Sequence, residues 1–292
     1  MKKWILVLPL LFGIGLSHWM AAQTNPEIEA KVNTLLAKMT LEEKIGQMNQ
    51  YNGFWNFTGP APAGGEAANK FDNLKSGLVG SMLNVRGVEN VRKVQELALQ
   101  SRLGIPLIIG FDVIHGYKTL SPIPLAEAAS WDMGAIERSS KVAATEAAAS
   151  GINWTFAPMV DISRDARWGR VMEGSGEDPY LGAQIAAARV RGFQGKDLGD
   201  PLTIAACVKH FAAYGFAEAG RDYNTVDIGT STLYNTVLPP FKAAADAGAR
   251  TFMNSFNEIN GIPATASALL QRDILKGEWG FTGFVVSDWG SI

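Results

Sequence analysis

Apolar and polar residues alternate along the chain in blocks that repeat from residue 77 to the C-terminus. Each block has a short apolar run, a polar stretch, a helical stretch and a glycine before the next run. The apolar runs are Leu78 to Leu83, Ile105 to Phe111, Trp154 to Val160, Thr203 to Val208, Arg250 to Met253 and Phe284 to Val286. Strands that alternate with helices in this way predict a parallel sheet that is buried on both faces, and this periodicity fits either a barrel or a doubly wound sheet.

The stretches outside the apolar runs contain signals of helices. Thr40 with Glu43 three residues later forms a capping box, which predicts that a helix begins there. Helical spacing or alanine-rich composition predicts helices around Leu41, Ile45 and Met48, around Val91, Val94 and Leu97, at Ser140 to Ser150 and at Leu269 to Leu275. Glycines that are predicted to stop helices precede three of the apolar runs, at Gly104, Gly151 and Gly248.

Polar residues follow the apolar runs at the points where the predicted strands end. They are Asp112, Asp161, Lys209 with His210, Asn254 and Asp288. Any one of these aspartates could be a loop residue or a helix cap. Chemically capable groups at the carboxyl ends of several strands are, however, typical of a barrel active site, and we predict an α/β fold of the TIM-type (β/α) barrel class. Because six runs are recognisable in the sequence and such a barrel has eight strands, the barrel is expected to be incomplete at the C-terminus.

Composition and charge narrow the class of partner. The chain has 292 residues, of which 47% are apolar, and this length allows one large core. The formal net charge is -2, so there is no basic excess to neutralise phosphates. We therefore expect no nucleic-acid partner, and a neutral substrate fits better. The oligomeric state is left open.

The N-terminus has the pattern of a secretory signal. Two lysines precede an apolar run from Trp4 to Leu16, and the small residues Ala21 and Ala22 follow. The run is shorter than the roughly 20 residues that span a bilayer. We expect a signal peptide over residues 1–22, a single domain over residues 23–292, and a periplasmic or secreted protein without stable membrane insertion after signal removal. The one cysteine lies far inside the chain, which excludes an intrachain disulfide.

Five motifs occur in order along the chain and together resemble those of a known family. They are Phe111 to Gly116, Ser163 to Arg170, Glu173 to Tyr180, Lys209 to Phe211 and Val286 to Trp289. In this order they resemble the motifs of glycoside hydrolase family 3, and they are most similar to its periplasmic β-glucosidase branch. The likeness extends from about Leu35 to Ile292.

The resemblance implies a retaining β-glycosidase, and a β-glucosidase acting on terminal non-reducing β-D-glucosyl residues is the favoured interpretation. Asp288 would be the nucleophile that forms a covalent glycosyl-enzyme. Its place after the apolar segment Gly283 to Ser287 is compatible, because a nucleophile needs a rigid support. The implied substrates are oligosaccharides or aryl β-glucosides. The two-carboxylate mechanism requires no cofactor and no metal.

The same resemblance implies a group of residues that holds the sugar where the bond breaks: Asp112, Arg170, Lys209 and His210. An acceptor-only carboxylate beside donor-rich cations can fix several pyranose hydroxyls in one orientation. The alternative for Arg170 is an ion pair with a nearby carboxylate, from Glu173, Glu177 or Asp178.

Three further residues are candidates for substrate binding. Trp289 is placed as an apolar platform for a sugar, with a buried core position as the alternative. Phe256 stands where the family commonly has Tyr, and it can stack on a sugar but cannot donate a hydrogen bond. A packing role is an equal alternative for Phe256 and for Met253.

The acid/base residue is the main departure from the family pattern. A branch that removes N-acetylglucosamine has its acid/base histidine shortly after the Lys-His motif, but no histidine follows His210. In the β-glucosidase branch the acid/base is a glutamate from a second domain that follows the barrel. This chain ends four residues after Asp288. We therefore expect a truncated barrel that lacks the C-terminal domain and the acid/base residue.

Other functions compete with this interpretation. The chain could be a catalytically incompetent truncated fragment, or part of a β-xylosidase of the same family. Lys209 at a strand end could form the Schiff base of an aldolase, although an aldolase does not explain Asp288 or Arg170. A metal hydrolase is disfavoured, because outside the signal only His115 and His210 remain and no ligand pair has helical spacing.

Overall fold

The computed structural model describes residues 25–53 and 65–292 of the chain. The predicted signal peptide, residues 1–22, lies outside these described residues. Within the described ranges, no helix has the length and apolar character needed to cross a membrane.

Parallel strands form the framework of the described chain. They are β1 (Gln50–Asn52), β2 (Ser81–Leu83), β3 (Ile108–Phe111), β4 (Trp154–Thr155), β5 (Ala205–Phe211), β6 (Thr251–Asn254) and, after a short antiparallel hairpin of β7 (Glu258–Ile259) and β8 (Ile262–Pro263), β9 (Phe284–Val286). The order in the sheet is β1-β2-β3-β4-β5-β6-β9, and every neighbouring pair is parallel.

Helices connect most of these strands. They are α1 (Pro26–Leu36), α2 (Leu41–Gln47), α3 (Gly65–Lys75), α4 (Val88–Ala98), α5 (Pro124–Ala128), α6 (Met133–Ala148), α7 (Pro179–Gln194), α8 (Thr230–Thr232), which continues through a π-helical turn (Leu233–Val237) into α9 (Leu238–Asp246), and a π-helix (Leu269–Glu278). Strands adjacent in the chain are also adjacent in the sheet, so the chain winds in one direction. This is the pattern of a TIM-type barrel with seven strands, and it confirms the predicted fold class of an incomplete barrel.

Strands β4, β5 and β6 are buried on both faces, as the apolar runs predicted, whereas the edge strands β1 and β9 have no buried residue. Met82 and Phe252 are fully buried in a large cluster with apolar residues of the surrounding helices. Their chain neighbours Leu83 and Met253 face the other side, because side chains alternate along a strand. There they pack with Trp154 in a second cluster, on the concave side of the sheet. The sheet therefore has one core against the helices and another inside the partial barrel.

Among the described residues, β1 is the one parallel strand that the hydrophobic pattern missed. Its sequence Gln50–Asn52 contains no apolar run, and its three residues are only partly buried. Backbone pairing with β2 holds it, and Gly53 N–H extends the ladder with a hydrogen bond to Leu83 O at 2.7 Å. The sequence-based number of six strands was therefore too low, because polar residues can occupy an edge strand.

The predicted helix start at Thr40 is confirmed by reciprocal hydrogen bonds. The Thr40 side chain accepts from Glu43 N–H, and the Glu43 carboxylate accepts from Thr40 N–H at 2.9 Å. The apolar stripe of this helix is not buried, since Leu41 is 67% and Ile45 is 54% exposed. The local capping signal was thus sufficient to place α2, whereas its apolar residues do not face a core.

Candidate active site

The polar residues that follow the strands lie at one edge of the sheet. Asp112 comes directly after β3, Lys209 and His210 lie near the end of β5, and Asp288 is the second residue after β9. Because these strands are parallel, their carboxyl ends meet at the same edge. Residues that are far apart in sequence, such as His210 and Asp288, which are 78 positions apart, can therefore lie side by side.

Lys209 and Asp112 join two neighbouring parts of this edge. The Lys209 Nζ atom donates to Asp112 Oδ1 at 2.8 Å. The lysine side chain is 6% exposed, whereas the aspartate side chain is 51% exposed. The carboxylate thus faces solvent while it neutralises a buried cation, and it remains able to accept further hydrogen bonds from a ligand.

Asp161, His210 and Asp288 form a second, more deeply buried series. Asp161 Oδ2 accepts from the His210 backbone N–H at 2.9 Å and contacts His210 Nδ1 at 2.8 Å. On the other side of the ring, His210 Nε2 lies 3.6 Å from Asp288 Oδ2. The Asp288 Oδ1 atom accepts from Trp289 N–H at 2.8 Å. One oxygen of Asp288 is therefore held by the backbone, and the other faces the histidine.

Burial perturbs the titration of all three groups. Burial raises the pKa of Asp288, and the Trp289 N–H and the charges of Lys209 and Arg170 act against this rise in pKa. Burial raises the pKa of Asp161 to about 7, although the His210 N–H bond opposes it. Burial, followed by the charges of Arg170 and Lys209, lowers the pKa of His210 well below its usual value. Perturbed groups of this kind cluster at functional sites.

Arg170 makes the ion pair that was the alternative to a role in sugar binding. Its Nε and Nη2 atoms donate to Glu173 at 2.7 and 3.0 Å. Its guanidinium also lies over the Tyr214 ring, 5.5 Å from the centroid. The charge of Arg170 nevertheless acts on both neighbours, since it opposes the rise in the pKa of Asp288 and adds to the lowering of the pKa of His210 by burial. Glu173 therefore orients a cation that lies close to the other site residues.

The aromatic candidates occupy different environments. Phe256 packs in a cluster with Tyr214 and Tyr223, with ring centroids 5.7 and 4.9 Å away. Met253 is 7% exposed and belongs to the apolar cluster inside the partial barrel. Trp289 is 63% exposed, so the buried alternative for this residue is wrong. An exposed indole next to Asp288 is available to contact a ligand.

Tyr214 was not found as a site residue from the sequence, and neither was the contact between Asp161 and His210. Asp161 was recognised only as one polar residue after an apolar run, and its contact with His210 spans 49 positions. Tyr214 packs edge-on against His210, with centroids 5.2 Å apart. The backbone between them is irregular, with cis peptide bonds at Lys209–His210 and Phe211–Ala212. In the described parts of the chain, no group of three or more His, Cys, Asp or Glu side chains is arranged to hold a metal ion.

A parallel partial barrel with carboxylates, cations and an exposed indole at the carboxyl ends of its strands has the arrangement of a barrel-type active site. The sequence profile described as "Glycosyl hydrolase family 3 N terminal domain" matches residues 40–292. The chain belongs to this family.

Individual relatives agree with the family assignment. The chain is 44% identical over 265 residues to a periplasmic beta-glucosidase of Salmonella typhimurium, covering 90% of this chain and 34% of the relative. It is 32% identical to a putative beta-xylosidase of Formosa agariphila, covering 89% of this chain and 36% of that protein. A crystal structure of beta-glucosidase from Listeria innocua in complex with glucose is similar with a TM-score of 0.83 and 45% identity, covering 90% of this chain and 38% of that one. The chain spans about a third of the length of these relatives.

Proposed function

We propose that the protein to which this chain belongs is a retaining β-glucosidase with Asp288 as its nucleophile. The observation that supports this most directly is the environment of Asp288, a buried carboxylate at a strand end whose Oδ1 is held by Trp289 N–H. A nucleophile needs this kind of rigid support. The Oδ2 atom, 3.6 Å from His210 Nε2, is then the oxygen that attacks the anomeric carbon.

Asp288 must be ionised to attack, and three neighbouring groups oppose the rise in its pKa that burial causes. The positive charges of Lys209 and Arg170 and the Trp289 N–H all lower the pKa of Asp288. Attack forms the bond from Asp288 to the sugar and breaks the bond to the aglycone. Water then breaks the glycosyl ester with the sugar leaving in its original β configuration.

The neighbouring polar groups are proposed to bind the hydroxyls of a terminal glucosyl residue. Asp112 offers oxygen lone pairs at the solvent-facing end of its pair with Lys209. Lys209 and Arg170 supply donors, and paired donors and acceptors suit pyranose hydroxyls. Trp289 would contact the apolar face of the sugar or of the aglycone. The aromatic and apolar packing of Phe256 and Met253 favours supporting roles for these two residues.

The proposed domain organisation rests on the family membership, and the proposed signal peptide rests on the N-terminal sequence pattern. We propose a signal peptide at residues 1–22, a barrel domain over residues 23–292, export to the periplasm or beyond, and an acid/base glutamate supplied by a further domain of the parent protein. Oligosaccharides and aryl β-glucosides are the proposed substrates. The Salmonella relative is named a periplasmic enzyme and a beta-glucosidase, which supports the location and the preferred sugar.

A β-xylosidase is the second candidate, because the chain is also 32% identical to proteins named beta-xylosidase. The higher identity of 44% to a named beta-glucosidase favours glucose. The ratio of kcat/KM for nitrophenyl β-glucoside and nitrophenyl β-xyloside, measured with the full-length parent, separates the two. We expect the glucoside to be preferred, and a preference for the xyloside would reassign the substrate.

Two measurements test the chemistry itself. Proton NMR of the first sugar released from a β-glucoside should show the β-anomer, and an α-anomer as the first product would exclude retention. Mass spectrometry after reaction with dinitrophenyl glucoside should find a glucosyl unit on the peptide that contains Asp288. The Asp288→Asn variant should not be labelled, whereas Asp273→Asn, an exposed site on the π-helix, should be labelled normally.

A further inference from the structure

Asp161 and His210 form a buried pair whose geometry restricts the hydrogen positions on the histidine. Asp161 is 1% exposed and His210 is fully buried. A single oxygen, Asp161 Oδ2, contacts both the backbone N–H of His210, at 2.9 Å, and its ring Nδ1, at 2.8 Å. One oxygen of Asp161 therefore contacts both the backbone and the ring of His210.

The backbone amide of His210 indicates which atom is the donor in the hydrogen bond between Asp161 Oδ2 and His210 Nδ1. An amide N–H can only donate, so Asp161 Oδ2 accepts from it, and in the ionised carboxylate this oxygen has no hydrogen to donate to the ring. Nδ1 lies against the same oxygen and therefore carries the ring hydrogen. A neutral imidazole has a single N–H, so Nε2 is left with a lone pair. Burial and the charges of Arg170 and Lys209 lower the pKa of His210, which keeps the ring neutral.

The unprotonated Nε2 atom of His210 faces the candidate site. His210 Nε2 lies 3.6 Å from Asp288 Oδ2, and within residues 25–53 and 65–292 no group is hydrogen-bonded to it. Two acceptors that face each other are unfavourable unless a hydrogen donor reaches at least one of them. A hydroxyl is small and can donate its hydrogen to Nε2 from beside the carboxylate.

We propose that Asp161 is a positioning residue that fixes His210 in the Nδ1–H tautomer, so that Nε2 accepts a hydrogen bond from a sugar hydroxyl next to Asp288. The ligand in this statement rests on the proposed function. The tautomer does not, because it follows from contacts within the chain. Asp161 acts only through His210 and does not itself touch the sugar.

The tautomer can be measured without any sugar, by proton–nitrogen NMR of protein labelled with nitrogen-15 in its histidines. The His210→Gln variant identifies the signals of His210. At about pH 8, where Asp161 with its pKa of about 7 is ionised, we expect a protonated Nδ1 and an unprotonated Nε2 in the wild type. A protonated Nε2 with a bare Nδ1 would overturn the proposal.

Variants at position 161 separate positioning from simple packing. Asp161→Asn keeps an oxygen that the His210 backbone N–H can hold, so the tautomer should persist. Asp161→Leu has no acceptor, so a mixture of His210 tautomers is expected. Glucose affinity should fall at least ~10-fold, which corresponds to the loss of about one hydrogen bond. Asp165→Asn is the matched control on the same connection, because Asp165 pairs only with the exposed Arg167 among the partners described for it.

Each result decides the proposal. An unchanged tautomer in a folded Asp161→Leu variant, or a reversed tautomer in Asp161→Asn, would contradict it. If Asp161→Leu does not fold, the spectra of the wild type and of Asp161→Asn still test whether Asp161 Oδ2 accepts from Nδ1–H of His210. Absence of glucose binding by the wild-type protein would instead contradict the proposed function and leave the tautomer assignment intact.

Discussion

At the residue scale, the charged groups of the site depend on one another. Lys209 is buried and has Asp112 as its partner at 2.8 Å. Both Lys209 and Arg170 lower the pKa of Asp288, against the effect of burial. A change at Asp112 therefore affects a sugar contact and also the state of the lysine that supports the nucleophile.

Replacement of Asp112 by Asn should weaken both glucose binding and turnover. A charged hydrogen bond contributes about 1.5–3 kcal/mol, so kcat/KM of the parent enzyme should fall by roughly 10- to 150-fold. Steady-state kinetics with nitrophenyl β-glucoside measure this. The control is Asp246→Asn, which removes an exposed Lys–Asp pair on α9 and should leave the kinetics unchanged. Unchanged kinetics in Asp112→Asn would make Asp112 a simple loop residue.

The Asp161–His210 pair has a distinctive effect on stability at different pH values. The pKa of Asp161 is raised to about 7 on folding, so its contribution to stability is full below its unfolded pKa and is lost as the pH rises through about 7. The pKa of His210 is lowered, so its contribution is present above its unfolded pKa near 6.5 and is lost as the pH falls. Between about pH 4 and 6.5 the effect of Asp161 on the free energy of unfolding changes with pH in the opposite direction to that of His210.

The Asp161→Asn variant should therefore be more sensitive to acid than the wild type. In this variant His210 is the remaining member of the pair whose protonation differs between the folded and unfolded states. Below pH 6.5 the histidine of the unfolded chain takes up a proton that the buried histidine of the folded protein does not accept. The free energy of unfolding should fall by up to about 1.4 kcal/mol per pH unit below pH 6.5, relative to the wild type. Urea unfolding at a series of pH values measures the difference. Parallel curves for the two proteins would show that the pair does not titrate as described.

At the element scale, a buried ion pair and one serine hydrogen bond connect three helices. Arg189 on α7 donates to Glu127 on α5 at 2.5 Å, and Ser139 on α6 donates to the same carboxylate at 2.6 Å. Arg189 also contacts the carbonyl of Ile114, two residues after Asp112, at 3.4 Å. Both charged side chains are almost fully buried. This network connects the helical layer to the loop that follows β3.

Removal of the charge at Glu127 should destabilise the fold strongly. Glu127→Gln leaves Arg189 buried without its counter-charge, and breaking a buried pair costs about 3–5 kcal/mol. Glu137→Gln removes an Arg–Glu pair between α6 and the same helix α7, but that pair is half exposed and is expected to contribute about 1 kcal/mol or less. Urea unfolding of both variants gives the comparison. Equal losses of stability would contradict the importance of burial.

At the scale of the whole molecule, the described site contains a nucleophile candidate but no evident proton donor. Asp112 and Glu173 both accept hydrogen bonds from cations, whereas a general acid must donate a proton. Activated aryl glucosides have leaving groups that need little protonation, so the first step can proceed on them without an acid. The second step needs a base to activate water.

The 292-residue chain should therefore release about one dinitrophenolate per molecule from dinitrophenyl glucoside and then slow sharply. Stopped-flow absorbance measures the burst, and Asp288→Asn should abolish it. Sustained turnover of cellobiose by the purified chain would contradict the expectation. It would show that a carboxylate within the chain, such as Glu218 or Glu258, serves as the acid.

The sequence by itself determined the features that depend on neighbouring residues in the chain. Apolar runs predicted six of the seven parallel strands, and the capping box at Thr40 predicted the start of α2. Polar residues at strand ends indicated where the site would lie, because the carboxyl ends of parallel strands share one edge. These signals are local, so the chain carries them before it folds.

Only the tertiary structure decided which side chains meet. Lys209 and Asp112 are 97 positions apart, and His210 and Asp161 are 49 apart. Whether such groups come within 3 Å depends on strand register and on the irregular backbone after Val208, which periodicity does not encode. The polar strand β1 is likewise defined by its pairing with β2. Contacts over these distances arise from the packing of the whole sheet, and they determined the charge and hydrogen-bond state of the site.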